Sequence, residues 1–200
     1  MISTIIAEKI EKNERIVIEL GCGPNKIAGA IGVDKYQGEA VDIIADIEKG
    51  LPFLPDNSVD ELSSRHLLEH IENLELLIRE IYRVLKPGGI HKVVVPHFSN
   101  PYFYSDYTHR RFFGLYTFDY FADEASKLKR KVPSFYNDLQ FHITKRYLRF
   151  HSTQPFRHFR RTLLSKWVNR SSHAQERYEE SYCYLYPCQE IHYEMTKIQK

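Results

Sequence analysis

The sequence lacks the hallmarks of several broad classes of protein. Its three cysteines cannot all pair and none forms a C-x-x-C unit, which argues against a disulfide framework and favours a reducing compartment. No stretch approaches the roughly 18 apolar residues of a membrane span. The N-terminal residues also lack the basic lead and long apolar run of a signal peptide. We therefore expect a soluble, cytoplasmic protein.

Short apolar segments alternate with helical patterns along the 200 residues. This alternation is typical of a parallel α/β sheet with helices on both faces. Apolar residues at helical spacing predict helices over Ile2–Ile10, Leu67–Leu85 and Phe156–Val168. The predicted strands are 16–20, 30–34, 41–46, 59–64, 90–96, 139–144 and 190–195.

A glycine-containing junction, Glu19-Leu20-Gly21-Cys22-Gly23, follows the first predicted strand. Glycines at a strand end let the backbone turn tightly and approach a ligand. Asp34 ends the second strand, where a carboxylate can accept hydrogen bonds from ribose hydroxyls. Asp46 ends the third, where a carboxylate can accept from an adenine amino group. Because open α/β sheets bind ligands at the carboxyl ends of their strands, these positions predict a nucleotide-type site.

The spacing disfavours a dinucleotide as the ligand. Lys26 stands where the third glycine of G-x-G-x-x-G would be, and Asp34 follows Gly21 by only 13 residues, short of the roughly 20 of a dinucleotide fold. A helix that could cradle a diphosphate is therefore nearly absent. The expected ligand is a nucleoside without phosphates.

The run Ile18–Pro24 resembles motif I of class I S-adenosylmethionine-dependent methyltransferases. The family's later motifs are matched in order by 45–46 with 51–53, by 56–60, by 68–71 and by 83–89. The resemblance covers about 15–121. It extends to the small methyltransferase-domain proteins often associated with bacterial surface-polysaccharide genes, in which a segment similar to 106–113 follows the fifth strand.

This resemblance implies S-adenosylmethionine as the cofactor and a Rossmann-like methyltransferase sheet, mostly parallel with an antiparallel last strand. The order of strands and helices along the chain predicts a single domain over 1–200 with an insertion. We expect a cofactor-binding core at 15–121, a basic, partly helical insert or lid at about 122–181, and the final strand at 182–200.

The resemblance assigns cofactor contacts residue by residue. Gly21 and Gly23 line the methionine moiety, Asp34 holds the ribose, and Asp46 with Ile47 frames the adenine. The remaining implied cofactor residues are Glu19, then Arg65 and His66, which close the pocket. The loop after motif I is shorter than in the family, so we expect Asn25 or Lys26 to take over the methionyl carboxylate.

Candidates for the general base follow the fifth strand, namely His97, Asp106 and His109. A hydroxyl acceptor needs such a base, and histidine suits that role near neutral pH. Alternatively, His109 with Arg110 and Arg111 binds an anionic acceptor, or the histidines cap carbonyl groups of the loop. The aromatic residues of the segment 102–113 either stack on a sugar or form core under a lid.

The sequence His66-Leu67-Leu68-Glu69-His70 fits the metalloprotease zinc pattern H-x-x-E-H. Five residues match easily by accident in a chain with ten histidines. No third ligand is evident, and the same residues fall where the methyltransferase pattern expects them. We therefore expect no metal.

The segment 127–177 carries 13 Lys or Arg against two acids, although the whole chain has a net charge of only +2. Within it, a basic helix at 156–170 either packs on its own domain or contacts an anionic membrane.

The sequence leaves the methyl acceptor open. It is a small molecule or a saccharide, and if the helix contacts a membrane, a lipid-linked saccharide is favoured. RNA is an alternative, although nothing resembles an RNA-binding module. Another alternative is that the protein is a non-catalytic scaffold that binds the cofactor.

The helix predicted at 156–170 has an apolar stripe that consists of Phe156, Phe159, Leu163, Leu164, Trp167 and Val168.

Overall fold

A computed structural model describes residues 2–133, 135–151 and 155–198, with only the backbone described for 155–160. Seven strands form one sheet in the order β3-β2-β1-β4-β5-β7-β6. The strands are β1 Val17–Leu20, β2 Ile31–Asp34, β3 Ile43–Ile44, β4 Val59–Arg65, β5 Leu85–Pro96, β6 Phe141–Arg149 and β7 Glu190–Lys197. The helices are α1 Thr4–Glu11, α2 Leu74–Val84, α3 Pro155–Val168 and α4 Ser172–Ser181.

Strands β1 to β5 pair in parallel, whereas β7 is antiparallel to both of its neighbours, β5 and β6. The predicted fold class, a mostly parallel Rossmann-like sheet with an antiparallel last strand, is confirmed. The chain moves outward from β1 to β3 and then returns to place β4 on the other side of β1. Ligands of open α/β sheets bind at such a switch, beyond the carboxyl ends of the strands.

The first two crossovers contain no helix. Residues 21–30 between β1 and β2, and 35–42 between β2 and β3, are all described and all lie in loops, turns or bends. Parallel strands are usually joined by a dozen or more residues that include a helix. The short connection after β1 leaves no room for one, as its length in the sequence indicates.

Helix α2 begins later than predicted. The apolar spacing predicts a helix from Leu67, but 68–70 form a single 3-10 turn and α2 begins at Leu74. The Asn73 side chain caps α2 by accepting a 3.1 Å hydrogen bond from the Leu76 N–H, as N-cap residues do. The end is as expected, because α2 stops at Val84 just before Lys86-Pro87-Gly88-Gly89.

The two faces of the sheet differ in polarity. Alternate residues of a strand point to opposite faces, and in β5 His91, Val93 and Val95 are buried while the intervening side chains are only partly buried. On that second face, Lys92 Nζ lies 2.6 Å from Glu61 Oε1 and Lys145 Nζ lies 2.9 Å from Glu194 Oε1. Cross-strand ion pairs of this kind fit a solvated face.

The predicted helix 156–168 is confirmed as α3, and α4 follows it after a short turn. The sequence pattern did not predict α4, whose N-cap is Ser171, with Oγ accepting a 3.2 Å hydrogen bond from the Ala174 N–H. Within the part of the chain that the structure describes, no helix combines the length and apolar content required to cross a membrane.

Candidate active site

The loop after β1 exposes its backbone at Gly23. Gly21 and Gly23 have φ angles of 63° and 54°, a left-handed conformation that glycine adopts without strain. A Cβ on Gly21 would lie 2.8 Å from Leu67 Cδ1, whereas a Cβ on Gly23 would meet nothing within 4 Å. The backbone at Gly23 therefore borders open space, and a ligand can approach it closely.

Asp34 fixes this loop from the end of β2. Its Oδ2 accepts a 3.0 Å hydrogen bond from the Gly23 N–H, and its Oδ1 accepts a 3.1 Å bond from the Tyr36 N–H. A carboxylate offers about four lone-pair sites, so two remain for ribose hydroxyls. The glycine loop and the predicted ribose residue thus form one unit.

Asp46 lies at the end of the neighbouring strand, because β3 pairs with β2 next to Asp34. Its Oδ1 accepts a 3.4 Å hydrogen bond from the Glu48 N–H, and its Oδ2 is 3.5 Å from Lys35 Nζ. The adjacent Ile47 is buried at 8% exposure. A carboxylate beside an apolar surface is the pairing predicted to frame an adenine.

Glu19 and Arg65 hold the glycine loop against the sheet. The Glu19 carboxylate is 1% exposed and accepts a 2.7 Å hydrogen bond from Arg65 Nε as well as one from the Ile27 N–H. Arg65 also donates a 2.8 Å bond to the Asn25 carbonyl. Lys26, a candidate partner for the methionyl carboxylate, is engaged with Asp42. Its predicted cofactor contact would require that pair to open.

His66, directly after β4, lies between two carboxylates. Its Nε2 is 3.4 Å from Glu190 Oε1 and its Nδ1 is 3.4 Å from Glu69 Oε1. Glu190 first and Glu69 second raise the pKa of His66 to about 9, so the ring is an imidazolium at neutral pH. The sequence analysis assigned no role to Glu190, which is the first residue of β7.

Two of the three candidate bases come together beyond β5. His109 Nε2 lies 3.6 Å from Asp106 Oδ2, and the His109 ring centroid is 4.8 Å from that of His70. The Thr108 hydroxyl and N–H bond to Asp106 and lower the pKa of its carboxyl.

The third candidate base lies apart from these residues. His97 is fully buried, with Nδ1 accepting a 3.1 Å hydrogen bond from the Ser99 N–H and Nε2 lying 3.1 Å from Glu179 Oε2. Because a carboxylate can only accept, Nε2 carries the ring proton. His97 therefore joins β5 to α4, and its predicted role as a base is not supported by its position.

The comparison with protein families matches the methyltransferase domain family over residues 27–93. This match begins at the end of the loop that carries Asn25 and Lys26 and includes Asp34, Asp46 and His66. The chain therefore contains a methyltransferase domain. By family and fold it uses S-adenosylmethionine, and the open backbone at Gly23 with the free lone pairs of Asp34 fits that cofactor.

Solved structures show the same fold. The methyltransferase resembles the YcgJ protein from Bacillus subtilis with a TM-score of 0.55, at 17% identity and over 98% of each chain. It resembles an S-adenosylmethionine-dependent methyltransferase from Archaeoglobus fulgidus with a TM-score of 0.51, at 17% identity, over 96% of this chain and 93% of that one. A comparison with curated proteins found no match.

Four large aromatic side chains are exposed in the segment that contains His109. Tyr102, Tyr104, Tyr107 and Phe112 are 76%, 62%, 97% and 61% exposed. Phe103 instead is buried, 4.6 Å from the His109 ring and 4.9 Å from the Phe112 ring between centroids. The segment 102–113 thus combines a core anchor with exposed aromatic side chains.

Phe112 also lines an open pocket of about 270 Å³, which shares Phe98, Tyr116 and Arg130 with a larger cleft of about 1150 Å³. Helix α4 forms the far side of that cleft, where Glu176, Arg177 and Glu180 mix charges of both signs. The methyltransferase therefore offers space for a sizeable polar molecule beside the aromatic segment.

The four described residues of the predicted apolar stripe of α3 are largely used inside the domain. Val168 is buried, and Leu164 and Trp167 are partly buried against the core, whereas Leu163 is 51% exposed. The Phe156 and Phe159 side chains, on which the membrane prediction also depends, lie outside the described residues. Packing on its own domain thus accounts for three of the six predicted stripe residues.

Proposed function

We propose that this methyltransferase transfers a methyl group from S-adenosylmethionine to a hydroxyl group of a saccharide. The observation that carries the proposal is the row of exposed aromatic side chains at 102–112 beside the carboxyl edge of the sheet. Exposed apolar surface next to a reaction site commonly marks where a ligand binds. Sugar rings present C–H groups that pack on aromatic faces and hydroxyls that bond to polar neighbours.

The cofactor would be held by the glycine loop with Asp34 and Asp46, and when bound it supplies an electrophilic methyl group on a sulfonium. Glu19 and Arg65 keep the loop in the conformation that exposes Gly23. Such preorganisation matters because alignment of two reactants is worth effective molarities of about 10⁵–10⁸ M.

A hydroxyl acceptor must lose its proton as it attacks. His109 Nδ1 lies 2.9 Å from the Phe103 carbonyl oxygen, which can only accept, so this nitrogen donates and the neutral ring keeps its lone pair on Nε2. The His109 ring packs on Phe103, which in turn contacts Phe112, so this lone pair belongs to the segment on which the sugar is proposed to pack. His66 is a cation at neutral pH and cannot take the proton.

The proposal is tested by incubating the full chain with S-adenosylmethionine that carries a labelled methyl group. The acceptors are free oligosaccharides, lipid-linked saccharides and RNA. We expect label in a saccharide. We expect Tyr107→Ala to raise KM for that acceptor at least about tenfold, equivalent to the roughly 1.4 kcal/mol of a stacking contact.

Phe135→Ala is the matched control, since Phe135 is 80% exposed but lies outside the 102–112 row. It should leave KM unchanged. Label in RNA and in no saccharide would contradict the proposal and favour the basic segment 127–177 as a nucleic-acid surface. Equal KM values for the Tyr107 variant and the unmodified protein would remove the role of the aromatic row.

A lipid-linked saccharide would bring the enzyme to a membrane surface, and α3 is the segment predicted to make that contact. The support is the basic composition of the helix together with the exposure of Leu163. The test is sedimentation with vesicles that contain anionic lipid at low salt. Retention by these vesicles and not by neutral ones is expected, and absence of binding would contradict the membrane contact.

A further inference from the structure

Three potential metal ligands meet beyond the carboxyl ends of β4 and β5. Glu69, His70 and His109 each offer one ligating atom within 4.8 Å of the other two. Glu69 and His70 belong to the 3-10 turn after β4, and His109 follows β5. The H-x-x-E-H sequence by itself showed no ligand beyond the motif. In the structure His109 is that ligand, and it joins Glu69 and His70. The first histidine of the motif, His66, is not part of the cluster.

Both histidine rings are oriented as metal-binding rings are. His109 Nδ1–H donates to the Phe103 carbonyl. The Thr108 hydroxyl gives its proton to Asp106 Oδ1 at 2.5 Å, so its oxygen accepts from His70 Nδ1 at 2.9 Å. Each neutral ring then carries its lone pair on Nε2. A histidine that ligates through one nitrogen almost always donates the other N–H to such a partner.

Glu69 supplies the second, independent observation. Its side chain is 1% exposed, and among the described residues its Oε2 has no hydrogen-bond partner. A buried carboxylate oxygen without a partner is costly, because it has lost hydration and gained nothing in return. The other oxygen, Oε1, faces His66 at 3.4 Å. A cation beside Oε2 would satisfy the remaining oxygen.

We propose that Glu69, His70 and His109 bind a divalent transition-metal ion, with Zn²⁺ the best match. Two imidazole nitrogens and one carboxylate oxygen form the donor set of several catalytic zinc sites, which keep a further position open. Asp106 Oδ2 lies 3.6 Å from His109 Nε2, beyond hydrogen-bond distance, and adds a negative charge next to the ion.

The open position gives the ion a role that rests on the proposed function. An acceptor hydroxyl held there loses its proton to solvent more readily, because a bound cation stabilises the oxygen anion. The oxygen lone pair then forms the bond to the methyl carbon, while the carbon–sulfur bond breaks with its electrons on sulfur. In that case His109 acts as a ligand and not as the base.

The site is tested by calorimetric titration of chelator-treated, dialysed full-length protein with Zn²⁺. One ion per chain is expected. His109→Gln and Glu69→Gln should each weaken Zn²⁺ binding at least about 100-fold. Loss of a residue that only hydrogen-bonds to a metal ligand weakens binding by about 10- to 100-fold, so a larger effect indicates a direct ligand. His142→Gln is the matched control, because His142 is partly exposed and pairs with Asp123 at 3.1 Å, outside the cluster. It should bind Zn²⁺ like the unmodified protein.

Folding of each variant is checked by circular dichroism and by its affinity for S-adenosylhomocysteine. Equal Zn²⁺ affinity in the folded His109 variant and the unmodified protein would overturn the site, as would no stoichiometric binding by protein that still binds S-adenosylhomocysteine. Saccharide methylation that persists without zinc binding would overturn the metal site alone. Zinc binding with no saccharide methylation would instead overturn the proposed acceptor.

Discussion

Buried His91 makes the stability of the fold sensitive to acid. The side chain lies in the centre of β5 with no exposed surface, and its Nε2 is 3.1 Å from Ser64 Oγ on β4. Its Nδ1 has no hydrogen-bond partner among the residues that the structure describes. Burial lowers the pKa of His91 to about 3, because a charged ring would lose its hydration without gaining a counter-ion.

The sign and size of the effect follow from the difference between the folded and unfolded states. In the unfolded chain the pKa of a histidine is about 6.5. Below that pH the unfolded state binds a proton that the folded state rejects, so the free energy of unfolding falls as the pH falls. Each pH unit costs about 1.4 kcal/mol. The loss amounts to roughly 3 kcal/mol at pH 4.5 and levels off near pH 3, where folded His91 is also protonated.

The perturbation is His91→Gln, which keeps a polar side chain beside Ser64 but removes the titration. Urea unfolding, followed by circular dichroism at pH 7.5, 6, 5 and 4.5, gives the free energy of unfolding of both proteins. Other groups titrate equally in the two proteins, so the informative quantity is the difference between them. At pH 7.5 we expect the variant to be less stable, and by pH 4.5 the difference should shrink by roughly 3 kcal/mol or reverse.

A constant difference between pH 7.5 and 4.5 would refute this reasoning. It would mean that His91 takes up a proton in the folded state near pH 6.5, which requires water or a carboxylate beside the ring. Ser64→Ala is the matched control. Loss of the hydroxyl that bonds to the ring should lower stability at every pH without changing the slope.

Three further predictions concern the cofactor loop. Gly32→Ala places a Cβ 2.5 Å from the Ala40 carbonyl oxygen and 2.8 Å from Cys22 Sγ. We therefore expect the free energy of unfolding in urea to fall by about 3 kcal/mol. A decrease below about 1 kcal/mol would contradict the backbone clash. Gly23→Ala meets no atom within 4 Å and should cost only about 1 kcal/mol of left-handed strain. Its affinity for S-adenosylhomocysteine, measured by calorimetry, should nonetheless fall at least about tenfold, and equal affinity would show that the ligand does not approach this backbone. Asp34→Ala should abolish micromolar binding of S-adenosylmethionine in the same assay, and retained binding would remove Asp34 from the ribose site.

The sheet was predictable from the sequence because each strand is apolar, short and bounded by loop residues. All seven predicted strands are present, although β3 contracts to Ile43–Ile44 and β6 continues to Arg149. The helix α4 was not predictable in the same way. It buries Ala174, Gln175 and Tyr178, and the Gln175 amide is satisfied by the Arg146 carbonyl and by Asn169 Oδ1. A helix held by buried polar contacts leaves no apolar stripe in its sequence.

The cofactor side of the site was more predictable than the acceptor side. Gly23 and Asp34 are close in sequence, and one hydrogen bond joins them. The engagement of Lys26 with Asp42, and of His66 with Glu190, depends instead on which strands and loops become neighbours. Glu190 is 124 positions from His66, and only the antiparallel pairing of β7 with β5 brings it to this edge.

The sequence motif H-x-x-E-H contains two of the proposed metal ligands, Glu69 and His70, but not the third, His109. The Arg110 and Arg111 N–H groups both donate to the Glu69 carbonyl, at 2.7 Å and 3.2 Å. This backbone contact brings the preceding residue, His109, beside His70. No short motif encodes a contact between segments almost 40 residues apart. The strand order does constrain it, because β4 and β5 are parallel neighbours and the segments that leave their carboxyl ends must start side by side. A ligand missing from a motif after one such strand is therefore best sought after the adjacent strand, before the motif is judged accidental.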